Sequence, residues 1–223
     1  MDTLERELKL VPENEALLDE LAQMERLGPF VARGRGRELQ HNSFFDTANH
    51  ALREARVGFR RRSIEGQKLA VWTIKGDARQ IGAVASRSEI ELQLDSDMAP
   101  ALALSALHEA AASRGAGALA KAVADALKSG GPPLAKPILE TRTDRRIVNL
   151  EAPGRDWQVE LALDRMEVVG HAYRDVEIEA ELKRGDEAAL SAVESAIAAM
   201  GQVRESQGSK LARAQAHADS CTC

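Results

Sequence analysis

The stretch that most constrains this chain is Leu4-Glu5-Arg6-Glu7-Leu8-Lys9-Leu10. Side chains on a β-strand alternate between faces. Glu5, Glu7 and Lys9 therefore share one face, and Leu4, Leu8 and Leu10 the other. Two neighbouring carboxylates repel each other unless they stand in water or beside a cation. The same form returns near the other end, in Val176-Glu177-Ile178-Glu179-Ala180-Glu181-Leu182-Lys183. For a single strand, water is the simpler explanation. Two such strands in one chain call for another.

The strands between them follow the same rule. Residues 57–64 put Arg60 and Arg62 on one face and Val57 and Phe59 on the other. Glu65-Gly66-Gln67 turns this strand back into residues 69–75, where Trp72 and Ile74 alternate with Val71, Thr73 and Lys75. Arg87, Glu89 and Glu91 share a face in residues 87–94, and Glu160 and Asp164 share one in residues 157–168. Further strands are expected over 38–46, 138–150 and 173–183. Arg33, Arg35 and Arg37, interleaved with glycine, read as a mobile, solvated loop.

Pro12, Glu13 and Glu15 open a helix kept in phase by Leu17, Leu21, Met24 and Leu27 and stopped by Gly28-Pro29. A helical turn is expected over 48–55. The alanine-rich stretch 99–127, broken at Gly115 and Gly117, predicts two helices. Asp186 caps another running to Met200, and residues 206–218 form the last. Gly130-Gly131-Pro132-Pro133 reads as a loop within one fold, because strands on both sides carry the same charged face.

The expectation is an α+β fold: an eight-stranded antiparallel β-barrel with a charged lumen, covered outside by helices. Amphipathic helices need the apolar strand faces, and closure removes the sheet edges. Unpaired buried charges cost several kcal/mol each, so such a lumen calls for contents both cationic and anionic. Hard divalent metals take carboxylate oxygens and Mg²⁺ bridges to phosphates, while Arg and Lys hold phosphate oxygens.

Composition is that of an ordinary globular protein: 223 residues, 44% hydrophobic and 29% charged. The net charge of −5 argues against nucleic acid as partner. No apolar run is long enough to span a bilayer and no signal pattern opens the chain, so a cytoplasmic protein without membrane association is expected. Residues 1–218 read as a single domain and 219–223 as a disordered tail. Cys221 and Cys223, within that tail, read as idle thiols rather than a soft-metal site. His41, His50, His108, His171 and His217 have no metal-ligand spacing.

These residues resemble the CYTH superfamily, also called triphosphate tunnel metalloenzymes. Glu5-Arg6-Glu7-Leu8-Lys9 matches its Glu-x-Glu-x-Lys hallmark. Ser43-Phe44-Phe45-Asp46-Thr47 is similar to its Tyr-Phe-Asp-Thr segment, and Gly58-Phe59-Arg60-Arg61-Arg62 to its Leu-Arg-x-Arg. Thr73-Ile74-Lys75-Gly76 and Arg87-Ser88-Glu89 resemble its Thr-x-Lys-Gly and Arg-x-Glu. Val159 to Asp164, Glu177-Ile178-Glu179 and Ser209-Lys210-x-x-Arg213 follow in order. Leu211 and Ala214-Gln215 depart from the aromatics often found in that last segment, and no histidine-rich helical domain follows.

The resemblance implies a tunnel enzyme acting on a small-molecule triphosphate with Mg²⁺ or Mn²⁺. Lys9, Arg60, Arg62, Lys75, Arg145 and Lys210 would hold phosphates, joined less directly by Arg87 and Arg213. Glu5, Glu7, Glu160, Glu177 and Glu179 would bind metal, with Glu89 and Asp164 at the margin of that set. Glu5, Glu7 and Lys9 would be the catalytic core. The implied activity is an inorganic triphosphatase, releasing phosphate from tripolyphosphate. A class IV-type adenylyl cyclase and a thiamine or nucleoside triphosphatase are the alternatives within the fold. A non-catalytic polyphosphate or nucleotide binder is the alternative outside enzymes. Monomer and homodimer both stay open.

Overall fold

The computed structural model describes residues 4–81, 84–208 and 210–220. In chain order the elements are β1 (Leu4–Pro12), α1 (Ala16–Gln23), β2 (Arg26–Leu27), β3 (Phe30–Phe45), α2 (Ala51–Glu54), β4 (Gly58–Ile64), β5 (Leu69–Lys75), β6 (Arg79–Ile81) and β7 (Val84–Asp95). After them come α3 (Pro100–Ser113), α4 (Gly117–Gly130), β8 (Leu139–Glu151), β9 (Gln158–Val168), β10 (Arg174–Arg184), α5 (Glu187–Ala198), β11 (Val203–Glu205) and α6 (Lys210–Ser220). Along the hydrogen-bonded sheet the order is β1-β10-β9-β8-β3-β4-β5-β7, and β7 pairs back with β1. The ladder therefore closes as an eight-stranded antiparallel β-barrel of the α+β class, as the alternation predicts. Among the described residues no helix is long and apolar enough to cross a membrane.

The chain divides into two compact units: residues up to 5, 40–79 and 87–142 form the first, and 6–39, 80–86 and 143 onward the second. In the first, Phe45 and Phe59 each stack on Trp72 and meet each other at a tilt, all with ring centroids 5.6 Å apart. Leu104, Leu107, Leu119 and Val123 of α3 and α4 complete that core. In the second, Leu8, Leu10, Leu161, Leu163 and Ile178 of the strands meet Leu18, Leu21, Leu190, Val193 and Ile197 of α1 and α5. Each such side chain contributes about 1.5–3 kcal/mol through removal from water. Within each unit the helices thus cover the apolar strand faces.

Local chemistry explains most of the boundaries. Asp186 caps α5 by accepting from the Ala188 N–H at 3.0 Å. Gly115 separates α3 from α4 at φ +85°, a conformation open to glycine at little cost.

Three expectations change. The helix after β1 is shorter than its apolar spacing suggests, because Pro12 ends β1 opposite Val203 and Leu27 pairs with Phe30 in β2. The last helix starts at Lys210, and Val203–Glu205 before it is strand β11. Arg33–Arg37 is not a mobile loop: it lies inside the 16-residue strand β3. Glycine is weak in strands unless a neighbour comes close. A Cβ at Gly34 would stand 3.2 Å from Asn149 Nδ2. Arg35 donates to the carbonyls of Ala22, Gln23 and Met24 at the end of α1, and Arg37 makes a two-point pair with Asp144. Asp219 and Ser220 are helical, while Cys221 and Cys223 lie outside the described residues.

Candidate active site

In the second unit, register builds a charged face three strands wide. Glu181 of β10 stands between Glu7 of β1 and Glu160 of β9. Glu179 stands between Lys9 and Ala162, and Glu177 opposite Asp164. Such cross-strand neighbours have Cβ atoms about 4.5–5.5 Å apart, so these acids feel one another.

Solvent does not explain the face. Glu177 is 0% exposed, Asp164 1%, Glu7 3% and Lys9 7%. Cations compensate instead. Arg145 grips Asp164 with two hydrogen bonds of 2.8 and 2.7 Å and reaches Glu179 at 2.7 Å. Lys9 bridges Glu7 at 3.1 Å and Glu179 at 3.5 Å. From α6, Lys210 Nζ contacts Asp164, Glu177 Oε2 at 2.9 Å and Glu179 Oε1 at 3.0 Å. Arg213, one turn further on, pairs with Asp175 at 2.6 Å and Glu177 at 2.8 Å. Ser206 donates to Glu177 at 2.5 Å and accepts from Arg213 at 2.7 Å.

Burial alone would push the Asp164 carboxyl up, but Arg145 and Lys210 hold it below its ordinary value. Burial likewise acts against the charge of Lys210, and Asp164, Glu177 and Glu179 outweigh it, keeping the ammonium protonated.

The first unit carries a second cluster. Lys75 Nζ lies 3.3 Å from Glu5 and 2.6 Å from Glu89, and Arg87 Nε donates to Glu5 at 2.9 Å. Arg60 stands 3.6 Å from Glu91 and 3.4 Å from the Thr73 hydroxyl, which donates to Glu91 at 3.0 Å. Arg62 donates to Asn42 at 3.4 Å. Burial and the adjacent Glu5 carboxylate push Glu89 well up, against the pull of Lys75. Glu91 is partly exposed, and against what desolvation it has Arg60, with Arg62 and Lys75, brings it below its ordinary value. Arg60 Nε is buried without a hydrogen-bond acceptor.

Of the sequence-predicted residues, Glu7, Lys9, Arg145, Glu177, Glu179, Lys210 and Arg213 fall in the second-unit face. Glu5, Arg60, Lys75 and Arg87 fall in the first-unit cluster, with Arg62 on the same strand face. Glu160 sits apart from the Lys210 contacts, 3.6 Å from Lys183, while Asp164 on its strand stands among them.

Asp46 and Thr47 have another task. Asp46 accepts from the N–H groups of Thr47, Leu52 and Arg53, and Thr47 Oγ1 from that of Ala51, so both tie down the start of α2. Arg61 lies over the rings of Phe45 and Trp72 at 5.9 and 5.8 Å. The sequence puts Glu91 on the charged face and Thr73 in a motif without giving either a site role, and it marks neither Asp175 nor Ser206. Asp175 is in strand phase with Glu177, a signal that was there to read. Ser206 carries none. Ser209, from the last motif, lies outside the described residues.

Among the described residues no three acid or histidine side chains stand ready around a metal position. The donor chemistry nevertheless suits a hard cation, being carboxylate oxygen throughout. Glu177 Oε2 is buried and receives no directed hydrogen bond, although Lys210 Nζ stands 2.9 Å away.

The family model for the CYTH domain matches residues 3–214. No curated protein matches the chain. Among solved structures, HpAC1 from Hippeastrum, a candidate adenylyl cyclase described as revealing a dominant triphosphatase activity, is 23% identical, with TM-score 0.64 and 95% of each chain covered. A candidate adenylate cyclase of Bacillus halodurans is 20% identical, with TM-score 0.54 over 95% of this chain and 98% of its own. The PH1819 protein of Pyrococcus horikoshii is 15% identical, with TM-score 0.54 over 97% and 99%. These likenesses speak to the fold.

Proposed function

The chain belongs to the CYTH family, and from that premise we propose that it hydrolyses a triphosphate, inorganic tripolyphosphate to diphosphate and phosphate, with Mg²⁺ or Mn²⁺. The observation that carries this reading is the second-unit face, where Asp164, Glu177 and Glu179 converge on one cation beside further bases. A solvated strand face would have no reason to bury them.

The proposed roles follow charge and reach. Glu177 and Glu179 with Glu5, Glu7 and Glu160 are the metal-holding acids, and the contacts of Lys210 with Asp164 as well as with Glu177 and Glu179 support counting Asp164 with them. When bound, a divalent cation supplies charge neutralisation and Lewis-acid polarisation of phosphate oxygens. Lys9, Arg60, Arg62, Lys75, Arg87, Arg145, Lys210 and Arg213 hold phosphate oxygens and neutralise the charge that builds on the leaving diphosphate. Arg60 Nε, buried without an acceptor, is a donor that a phosphate oxygen would satisfy. Glu5, Glu7 and Lys9 form the catalytic core, the acids orienting water for in-line attack.

The test is phosphate release from tripolyphosphate with Mg²⁺ or Mn²⁺, lost on adding EDTA and in Glu179→Ala. Activity indifferent to EDTA would overturn it.

One observation favours a second reading, a nucleoside triphosphate as substrate. Tyr173 and His217 form a ring pair at 4.8 Å in the second unit, and the chain is only 3% aromatic. Product analysis with ATP separates the outcomes: ADP plus phosphate for hydrolysis, cyclic AMP plus diphosphate for cyclisation.

A further inference from the structure

Lys210 differs from the other cations of its cluster in what surrounds it. Its ammonium is met by Asp164, by Glu177 Oε2 at 2.9 Å and by Glu179 Oε1 at 3.0 Å. An ammonium is a compact point charge on a long flexible stem, and three carboxylates around such a charge are what a small hard cation also takes. The readiness missing for a metal ion among the described residues is missing where this ammonium already stands. Its pairing with Glu177 Oε2 is electrostatic, without a directed hydrogen bond, so exchange for another cation breaks none at that atom.

The location of Lys210 makes exchange feasible. Lys9 and Arg145 project from strands held on both sides by the ladder. Lys210 is the first residue of α6, and the helix has an independent hold through Arg213 on Asp175 and Glu177. Swinging one side chain away would leave that hold intact. Phosphate oxygens offer the ammonium an alternative partner of the same sign as the carboxylates it leaves.

We infer that Lys210 is a placeholder cation: its ammonium and a divalent metal compete for Asp164, Glu177 and Glu179, and a triphosphate admits the metal by drawing Lys210 onto its own oxygens. For the anion this rests on the triphosphatase reading. Metal and triphosphate then bind synergistically, and the coupling runs equally in both directions. The form taken up is the metal–triphosphate pair rather than a metal held permanently by the protein.

The experiment is Mn²⁺ binding to the full chain, followed by electron paramagnetic resonance. It is run with and without the non-hydrolysable imidotriphosphate and corrected for Mn²⁺ chelated by that compound in solution. Wild type should bind Mn²⁺ weakly alone, and at least about tenfold more tightly with the analogue, within the usual range for coupled sites. Lys210→Met should bind Mn²⁺ alone at least about tenfold more tightly than wild type and lose most of the coupling. Lys210→Arg, which keeps the charge, should behave towards Mn²⁺ alone as wild type does.

Equal Mn²⁺ affinity in wild type and Lys210→Met overturns the inference. So does the absence of coupling in wild type, a result that needs no variant to fold. Lys210-dependent coupling in a protein that releases no phosphate from tripolyphosphate would sink the hydrolase reading and leave this inference standing. Hydrolysis without coupling would do the reverse.

Discussion

The two charged clusters arise from the same strand alternation and differ in what they leave over. In the first unit, Arg60, Arg62, Lys75 and Arg87 stand with Glu5, Glu89 and Glu91, and both a donor, Arg60 Nε, and an acceptor, Glu89 Oε2, are buried without a hydrogen-bond partner. In the second, Glu7, Asp164, Asp175, Glu177 and Glu179 stand with Lys9, Arg145, Lys210 and Arg213, and Glu177 Oε2 is a buried acceptor without a directed donor. Four cations to three acids in the first cluster suit phosphate oxygens, and five acids to four cations in the second suit a hard cation. One alternating pattern has thus yielded two chemistries, separated by which sign is in excess.

The comparison breaks most easily at Glu177, wholly buried and held by Lys210, Arg213 and Ser206. Removing one partner of a buried ionic set costs about 3–5 kcal/mol. Glu177→Ala should therefore lower the urea midpoint steeply and abolish phosphate release. The side chain of Glu91 is 44% exposed, and after allowance for screening Glu91→Ala should cost under about 1 kcal/mol. Equal losses in the two variants would erase the distinction.

Substrate affinity comes next. A hydrogen bond to a charged group is worth about 1.5–3 kcal/mol net. Arg60→Met should raise the KM for tripolyphosphate about ten- to a hundredfold, with an unchanged circular dichroism spectrum. A KM that does not move would remove Arg60 from the proposed phosphate set.

The clusters should also respond oppositely to pH. The folded pKa of Asp164 is depressed. Its contribution to stability is full above the ordinary carboxylate pKa of about 3.9 and is lost as pH falls through the depressed value. That of Glu89 is raised. Its contribution is full below about pH 4.3 and is lost as pH rises through the raised value. In urea unfolding across pH, Asp164→Asn should flatten the acid limb and Glu89→Gln the slope above it. The smallest effect belongs to Arg37→Ala, whose side chain is 61% exposed in its pair with Asp144, and the thermal midpoint should not move measurably.

Much of this was readable from the chain. Period-two alternation placed Glu5, Glu7, Glu177 and Glu179 on charged faces, and Gly66 and Gly115 marked real turns. What alternation cannot give is position along a strand. Glu160 and Asp164 are in phase, yet four residues at about 3.3 Å each separate them by roughly 13 Å. Only the tertiary fold brings Arg145 and Lys210 to Asp164. The glycines of Arg33–Arg37 hid a strand, because the close approach of Asn149 that favours Gly34 comes from residues more than a hundred positions away. Ser206 gave no signal, since its role depends on both Glu177 and Arg213.

Strand β10 is buried on both sides at its centre, with Glu177 among cations and Ile178 in the apolar core, each at 0% exposure. In a half-exposed strand a one-residue slip turns the apolar set to water and the polar set to the core, where uncharged polar side chains are tolerated only at a cost. Here a shift of one residue against β1 and β9 would drive Glu177 and Glu179 into the leucine core and Ile178 and Ala180 among the cations. Both errors are expensive at once, so the ionic face and the apolar face together select one strand alignment.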